Sequence, residues 1–173
     1  MRRDEVFGFK LHIVVDRLVK VGVHWVVFAG AAAYCYGSER KVTDVDVLVE
    51  GEELEKVKAV LADVEDVDVV ADLKIKVAEE TCLFFMDEEM VENIQRRKLF
   101  DVEVPVVPVE DNVIFKAILQ RGENQGKHDI EDIEHMVANE RIDLEYLEKR
   151  IQKYHAAKRV KPLLRSLGIL SIL

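Results

Sequence analysis

The sequence predicts an α+β fold, in which a small mixed sheet flanked by helices is followed by a helical C-terminal part. Two observations lead to this prediction. Short apolar runs rich in β-forming residues alternate with helical periodicity over the first 109 residues, whereas from Glu110 onward the periodicity is helical throughout. Strands and helices followed by helices alone are typical of α+β proteins. We therefore expect a core unit at residues 1–109 and a helical extension at residues 110–173 that packs on it.

The core unit is predicted to begin with an amphipathic helix and a buried strand. Val6, Phe9 and Ile13 recur at roughly helical spacing in a helix over 4–21, which ends at Gly22. The apolar run that follows is bounded by glycines and predicts a strand at 24–29. The other segments expected in this unit are a short helix after Gly30, strands at 44–49, 67–70, 73–77, 82–86 and 102–107, and helices at 52–63 and 88–96.

The C-terminal unit is predicted to contain four helices. Their apolar periodicity is interrupted at Gly122, Asn139 and Pro162. The last segment mixes basic residues with leucines and isoleucines, and we interpret it as a packing or dimer helix in preference to a membrane-surface helix. The expected helices lie at 110–121, 127–139, 143–155 and 158–170.

Composition and charge exclude several classes of protein. The 25 Lys and Arg residues against 34 Asp and Glu residues give a net charge of −9, so phosphate binding requires a local basic cluster. The two cysteines form no CxxC pair, which argues against a disulfide framework or a zinc site. We find no signal-like or membrane-spanning apolar run and expect a cytoplasmic protein without a membrane partner. Abundant Val, Glu and Lys resemble the composition of thermophile proteins.

Two acidic residues on one strand form the first candidate site. Asp44 and Asp46 are two positions apart on a predicted strand, so their carboxylates point to the same face. Two carboxylates side by side repel each other unless a cation lies between them. Mg²⁺ binds one or two carboxylates and completes its shell with water and substrate phosphate. The pair therefore predicts a Mg²⁺ (or Mn²⁺) site for phosphoryl-transfer chemistry.

A small-residue turn at Gly30 forms the second candidate site. The buried strand at 24–29 meets the start of a helix there, where a missing Cβ and free N–H groups favour a phosphate. Each piece alone has a plain structural explanation, since Asp-x-Asp is common on exposed strands and small residues often serve packing. Their combination in this order and spacing favours a nucleotide site.

These residues resemble the signature of the DNA polymerase β-like nucleotidyltransferase superfamily, in which an apolar strand, a small-residue turn, a short helix and Asp-x-Asp follow one another. The longer pattern is similar to the small prokaryotic branch that includes AbiEii-type toxins. The quoted residues are Gly30-Ala31, Tyr36-Gly37, Arg40, Thr43 and Asp44-x-Asp46, followed by Val106–Asp111, Phe115-Lys116-Ala117 and Lys127–Asp132. The resemblance implies a nucleotidyltransferase fold, an NTP substrate, a divalent cation and an acceptor that is a protein, a tRNA or a small molecule.

Two departures from the family pattern affect the expected site. Ala31 stands where relatives often carry a hydroxyl that holds the triphosphate. The family's third carboxylate lies in a later strand, yet the segment 81–86 contains no acid. Asp87 lies just past that segment and is our expected third catalytic acid, with Asp68, Asp101 and Glu103 as alternatives on other predicted strands.

Basic residues complete the candidate set. Lys116 on a predicted helix and Arg40 beside the acid pair are candidate nucleotide-binding residues, although a solvated helix lysine and a loop anchor are the plain alternatives. His128, Asp132 and His135 share a helix face with a spacing that suits a transition metal, but no fourth ligand is evident.

Two functions follow from these residues. The first is a Mg²⁺-dependent transfer of a nucleoside monophosphate from an NTP to a hydroxyl-bearing acceptor, with Asp44 and Asp46 holding the metal. The alternative is a catalytically weak nucleotide-binding or toxin–antitoxin component that acts through a partner, either a homodimer or an antitoxin or toxin. The missing third acid favours the alternative, and the intact Asp-x-Asp favours the enzyme.

Overall fold

A five-stranded mixed sheet forms the centre of the protein in the computed structural model, which describes residues 2–171. Met1 and residues 172–173, the outer ends of the two predicted units, lie outside the described residues. The order of the sheet is β3-β2-β1-β7-β6, and β4 and β5 form a separate hairpin. The strands are β1 (Trp25–Phe28), β2 (Val45–Val49), β3 (Val67–Val70), β4 (Leu73–Val77), β5 (Glu80–Phe84), β6 (Gln95–Leu99) and β7 (Val102–Val106).

The sheet mixes parallel and antiparallel pairs. β1 is antiparallel to β2 and parallel to β7, β2 is parallel to β3, and β6 is antiparallel to β7. The side chains of β1 are all buried, as are four of the five in β2, because helices cover the sheet. This architecture confirms the predicted α+β fold with a small mixed sheet flanked by helices.

Eight helices surround the sheet within residues 2–171. The first four alternate with the strands, and the last four follow one another after β7, as the periodicity predicts. Their bounds are α1 (Arg3–Val21), α2 (Ala29–Cys35), α3 (Leu54–Val60), α4 (Glu88–Glu92), α5 (Val109–Leu119), α6 (Asp129–Asn139), α7 (Leu144–Lys153) and α8 (Ala157–Ser166), with short 3₁₀ turns at Gly51–Glu53 and Glu123–Gln125.

One strand of the sheet, β6, was not predicted from the sequence. The helix expected at 88–96 ends at Glu92, and the strand β6 begins at Gln95. The residues of β6 are mostly charged and show no alternation of apolar and polar side chains. A charged strand suits the edge of a sheet, where it discourages pairing with another chain. Phe100 and Asp101, both with positive φ, form the tight turn that joins β6 to β7.

The buried Arg150 joins the C-terminal helices to the rest of the protein. Its side chain in α7 is fully buried and donates hydrogen bonds to Asp111 of α5 at 2.8 Å and to Asp87, just before α4, at 2.8 Å. A buried guanidinium is tolerated only when it is paired and hydrogen-bonded in this way. The helices after residue 109 therefore share one hydrophobic core with the sheet.

Among residues 2–171, no helix has the length and apolar character needed to cross a membrane. In α8, Val160 and Leu164 are buried, so this helix packs against the protein as the preferred interpretation of its sequence predicts.

Candidate active site

Three carboxylates meet at the N-terminal ends of the parallel strands β2 and β3. Asp44 precedes β2, Asp46 lies on it, and Asp68 lies on β3, directly beside Asp46 in the register. Side chains at paired positions of neighbouring strands lie on the same face of a sheet. One carboxylate oxygen from each of the three residues lies within 4.8 Å of the others. The structure thus brings the predicted pair together and adds a third acid to it.

The cluster carries more negative charge than its protein neighbours compensate. Burial, followed by the charges of Asp44 and Asp68, raises the pKa of Asp46 to about 6, although Lys127 and Lys116 act in the opposite direction. A raised pKa means that the ionised carboxylate is destabilised in the folded protein. A bound divalent cation would remove this cost. Three carboxylate oxygen donors are the ligands that suit hard cations such as Mg²⁺ and Mn²⁺.

Two of these carboxylates, Asp44 and Asp46, line a cleft of about 540 Å³. Its walls come from the β1–α2 turn, the loop before β2, and the helices α5 and α6 with the segment between them. Five basic residues line this cleft although the chain as a whole is acidic: Arg40, Lys41, Lys116, Arg121 and Lys127. They form the local basic cluster that phosphate binding by this chain requires.

Gly30 and Ala31 lie in α2 and line the cleft, as the sequence predicts for the small-residue turn. Ala31 is buried and Gly30 is exposed. Apart from its chain neighbours and the backbone of its own helix, a Cβ at Gly30 would meet no protein atom within 4 Å. A side chain at this position would occupy only cleft space.

Lys116 is buried, which excludes the solvated helix lysine considered from the sequence. Its Nζ lies 3.0 Å from Asp129 and 3.0 Å from Asp132, both on α6. Although burial raises it, hydrogen bonds from Arg121 and the charge of Lys116 hold the pKa of Asp129 below its usual value. Lys116 therefore reaches the cleft wall with its charge shared between two carboxylates, and its role toward a nucleotide stays a prediction.

Arg40 lies in the same network. Its Nε is 3.5 Å from Asp132, whose Oδ1 also accepts a hydrogen bond from the Ser38 hydroxyl at 2.9 Å. These contacts anchor the loop before β2 to α6. Arg40 is thus a loop anchor that also lines the cleft, and its role toward a nucleotide stays a prediction.

The structure does not bring Asp87 to the carboxylate cluster. Asp87 accepts a hydrogen bond from the Met90 N–H at the start of α4, and its carboxylate lies 2.8 Å from Arg150 and 3.0 Å from Lys153. β5 belongs to a separate hairpin with β4, so the chain beyond it does not lie beside β2. Asp87 therefore caps α4 and links it to α7.

Asp68, one of the alternatives, occupies the place expected for the third acid. The other two alternatives lie elsewhere, Asp101 in the β6–β7 turn and Glu103 on β7, 3.0 Å from Arg96. A signal for Asp68 was present in the sequence, because Val67-Asp68-Val69 repeats the pattern Val45-Asp46-Val47. The period-2 pattern of β3 predicts a strand but does not by itself identify β2 as its neighbour.

His128, which precedes α6, and Asp132 and His135, which lie on it, do not assemble into a metal site. Within residues 2–171, the acidic cluster is the only group of three or more His, Cys, Asp or Glu side chains that meets the distance requirement for a shared ion. Asp132 instead binds Lys116, and His128 lies 3.8 Å from Glu131.

Known proteins provide an independent comparison. A family described as nucleotidyltransferase of unknown function (DUF6036) matches residues 14–163 of the chain. No curated protein matches. The antibiotic-resistance factor ANT(2'')-Ia has a similar structure, with a TM-score of 0.60, 13% identity, and coverage of 90% of this chain and 96% of that chain.

A nucleotidyltransferase candidate from Thermotoga maritima (TM1012) is also similar, with a TM-score of 0.51, 16% identity, and coverage of 73% of this chain and 90% of that chain. At these identities the two structures speak for the fold alone, and they agree with the predicted nucleotidyltransferase fold. The AbiEii-type branch stays a prediction. Because the family match covers most of the length of this chain, the chain belongs to the DUF6036 family of nucleotidyltransferases.

Proposed function

We propose that this protein transfers a nucleoside monophosphate from an NTP to a hydroxyl-bearing acceptor, with release of pyrophosphate, in a reaction that depends on Mg²⁺ or Mn²⁺. The observation that carries the proposal is the meeting of Asp44, Asp46 and Asp68 in one cluster, of which Asp44 and Asp46 line a basic cleft. When bound, a divalent cation neutralises phosphate charge and activates the attacking oxygen. The chain's own part is to hold the ion, the nucleotide and the acceptor in line.

Each carboxylate has a distinct task in this proposal. Asp44 and Asp46 hold the metal. Asp68 lies on the exposed side of the cluster, on an edge strand, where an acceptor hydroxyl has access. A positioned carboxylate can take the proton of such a hydroxyl as it attacks the phosphorus atom. Asp68 is therefore our candidate for the general base, in place of Asp87.

The triphosphate is proposed to lie between the Gly30 turn and the basic residues across the cleft. Lys127 is exposed in the cleft and close enough to lower the pKa of Asp46, so its ammonium is suited to pair with phosphate oxygens. Lys116 and Arg40 contribute positive potential from the wall while they remain paired with Asp132.

The third carboxylate also bears on the alternative function. A catalytically weak nucleotide-binding or toxin–antitoxin component was favoured by the apparent absence of a third acid. With Asp68 beside Asp46, that reason no longer applies. We therefore propose an enzyme.

The function is tested by incubating the protein with each α-³²P-labelled NTP, Mg²⁺ or Mn²⁺ and a cell extract, then separating protein, RNA and small molecules. We expect label to appear in one of the three fractions and to vanish with EDTA. Replacement of the α label by a γ label should abolish it, because pyrophosphate leaves. Label retained from γ-³²P would identify phosphoryl transfer instead and contradict the proposal.

Side chains added at Gly30 should weaken nucleotide binding without unfolding the protein. Because a Cβ there meets no protein atom within 4 Å apart from its chain neighbours and its own helix backbone, the side chain of Gly30→Val is expected to extend into the cleft. We expect its affinity for an NTP with Mn²⁺ to fall about 10-fold, equivalent to about 1.4 kcal/mol, with Gly30→Ala intermediate. Titration calorimetry measures the affinity and thermal unfolding checks the fold.

Ala31→Ser is the matched control, because it adds only a hydroxyl to the adjacent cleft residue, and relatives often carry a hydroxyl at this position. We expect it to preserve or strengthen binding. Equal effects of Gly30→Val and Ala31→Ser would show that the phosphates lie elsewhere.

A further inference from the structure

The turn between β1 and α2 holds an unusual backbone conformation. Ala29, its first helical residue, has φ of 60°, in the left-handed region that alanine rarely adopts. Glycine would adopt this conformation without steric cost, but the glycine of this turn is the next residue, Gly30. Something in the surrounding structure must therefore hold Ala29 in place.

The side chain of Asn112, on α5, supplies that hold. Its Oδ1 accepts a hydrogen bond from the Ala29 N–H at 2.8 Å, and its Nδ2 donates to the Ala29 carbonyl at 3.1 Å. The same Nδ2 lies 3.3 Å from the Met136 sulfur of α6. Asn112 is fully buried and Ala29 is 5% exposed, so water does not provide an alternative partner. One amide thus fixes both peptide groups of Ala29.

The residues held in this way form the cleft wall beside the carboxylates. Phe28, Ala29, Gly30 and Ala31 all line the cleft. Phe28 is also the register partner of Asp46 across β1 and β2, so the end of β1 and the metal-binding strand are directly joined. A change in the path of the chain at Ala29 would displace the wall relative to Asp46.

We propose that Asn112 is a positioning residue, which clamps the Ala29 backbone and thereby sets the distance between the Gly30 wall of the cleft and the carboxylate cluster. The proposal rests on the function proposed above. In that function, Asn112 touches neither the metal nor the nucleotide and acts only through the position of Ala29. A misplacement of about 1 Å between reacting groups can cost about 10²-fold in rate, so a small movement of this wall suffices for a large effect.

The test compares three variants of the full chain. Asn112→Leu keeps the side-chain volume and removes both hydrogen bonds. Ala29→Gly, combined with Asn112→Leu, allows the left-handed conformation without the clamp. Ile118→Ala is the control, since Ile118 is fully buried in the same helix, does not line the cleft, and should lower stability without moving the turn.

We expect Asn112→Leu to lower kcat about 10²-fold. The double variant should recover about 10-fold of that loss, which is half of it on a logarithmic scale, because glycine restores the conformation. Ile118→Ala should lose stability with kcat unchanged. Amide hydrogen exchange of the metal-free protein should accelerate at Ala29 in Asn112→Leu but not in Ile118→Ala.

Unchanged kcat in Asn112→Leu, or no rescue by Ala29→Gly, would overturn the positioning role and leave Asn112 as a packing residue. An unaltered exchange rate at Ala29 would overturn the clamp itself. Failure of the proposed function looks different, because then the parent protein shows no NTP-dependent transfer, while exchange at Ala29 still reports whether Asn112 holds the turn.

Discussion

An Asp46→Asn variant is expected to lose nucleotidyl transfer by about 10³-fold while its fold becomes more stable. The loss follows because the carboxylate that holds the divalent ion provides several kcal/mol of charge stabilisation, and each 1.36 kcal/mol corresponds to a factor of ten. The gain follows from the raised pKa of Asp46, which burial and the neighbouring Asp44 and Asp68 bring to about 6. An amide at this position carries no charge to be destabilised.

The sign of the stability change depends on pH. The folded-state pKa of Asp46 lies above its unfolded value of 3.8, so ionisation costs stability at neutral pH and costs none once the group is protonated in both states. We expect metal-free Asp46→Asn to exceed the parent by about 1–3 kcal/mol in free energy of unfolding at pH 7, and by nothing below about pH 4. Urea unfolding in EDTA at the two pH values measures this.

Glu65→Gln provides the control for a lost surface carboxylate, because Glu65 is exposed just before β3. It should leave activity and stability unchanged. An Asp46→Asn protein that binds Mn²⁺ like the parent would contradict the assignment of Asp46 as a metal ligand. One that is less stable than the parent at pH 7 would contradict the electrostatic cost of ionising Asp46.

Asp68→Asn and Asp87→Asn are expected to give opposite patterns. Loss of a general base typically lowers the rate about 10²–10⁴-fold, so Asp68→Asn should lose transfer at that scale. It should not lose stability, because the charge that it removes contributes to the raised pKa of Asp46. Asp87→Asn should keep transfer and lose stability, because Asp87 caps α4 and pairs with the buried Arg150. Initial rates with a labelled NTP and thermal unfolding of both variants separate the two roles.

A matched control for Asp68 is Glu103→Gln, which neutralises another exposed carboxylate on the sheet, paired with Arg96. Its rate should equal that of the parent. If Asp87→Asn lost transfer at unchanged stability while Asp68→Asn retained it, the third acid would be Asp87, as the sequence first suggested.

Local patterns made most of the fold and two of the three carboxylates of the cluster predictable. The pair Asp44 and Asp46 follows from period-2 spacing, which depends only on the strand that carries it. The partnership of Asp46 with Asp68 depends on β3 lying parallel to β2, and no pattern within either strand specifies its neighbour. For the same reason, Asp87 could be preferred on sequence position alone although it lies in a different part of the fold.

Contacts between residues that are far apart in the sequence could not be predicted for the same reason. Lys116 looks like an ordinary helix lysine until α6 places two carboxylates over it. Asn112 lies 83 positions from the Ala29 backbone that it binds, and its helix gives no sign of that contact. The strand β6 is not predictable for another reason. It lies at the edge of the sheet, where charged residues are favoured, so its sequence lacks the alternation of apolar and polar residues that identifies a strand.

The cleft is shared between the parts of the chain before and after residue 109. Asp44, Asp46 and the Gly30 turn come from the sheet region. Lys116 and Asp132 come from the C-terminal helices, and Lys127 comes from the segment between them. The buried Arg150 holds these helices in place. A ligand that contacts both walls binds only when the helices are docked, so its binding free energy adds to the free energy of docking. Substrate occupancy and the cohesion of the two parts are therefore thermodynamically linked, and each strengthens the other by the same amount.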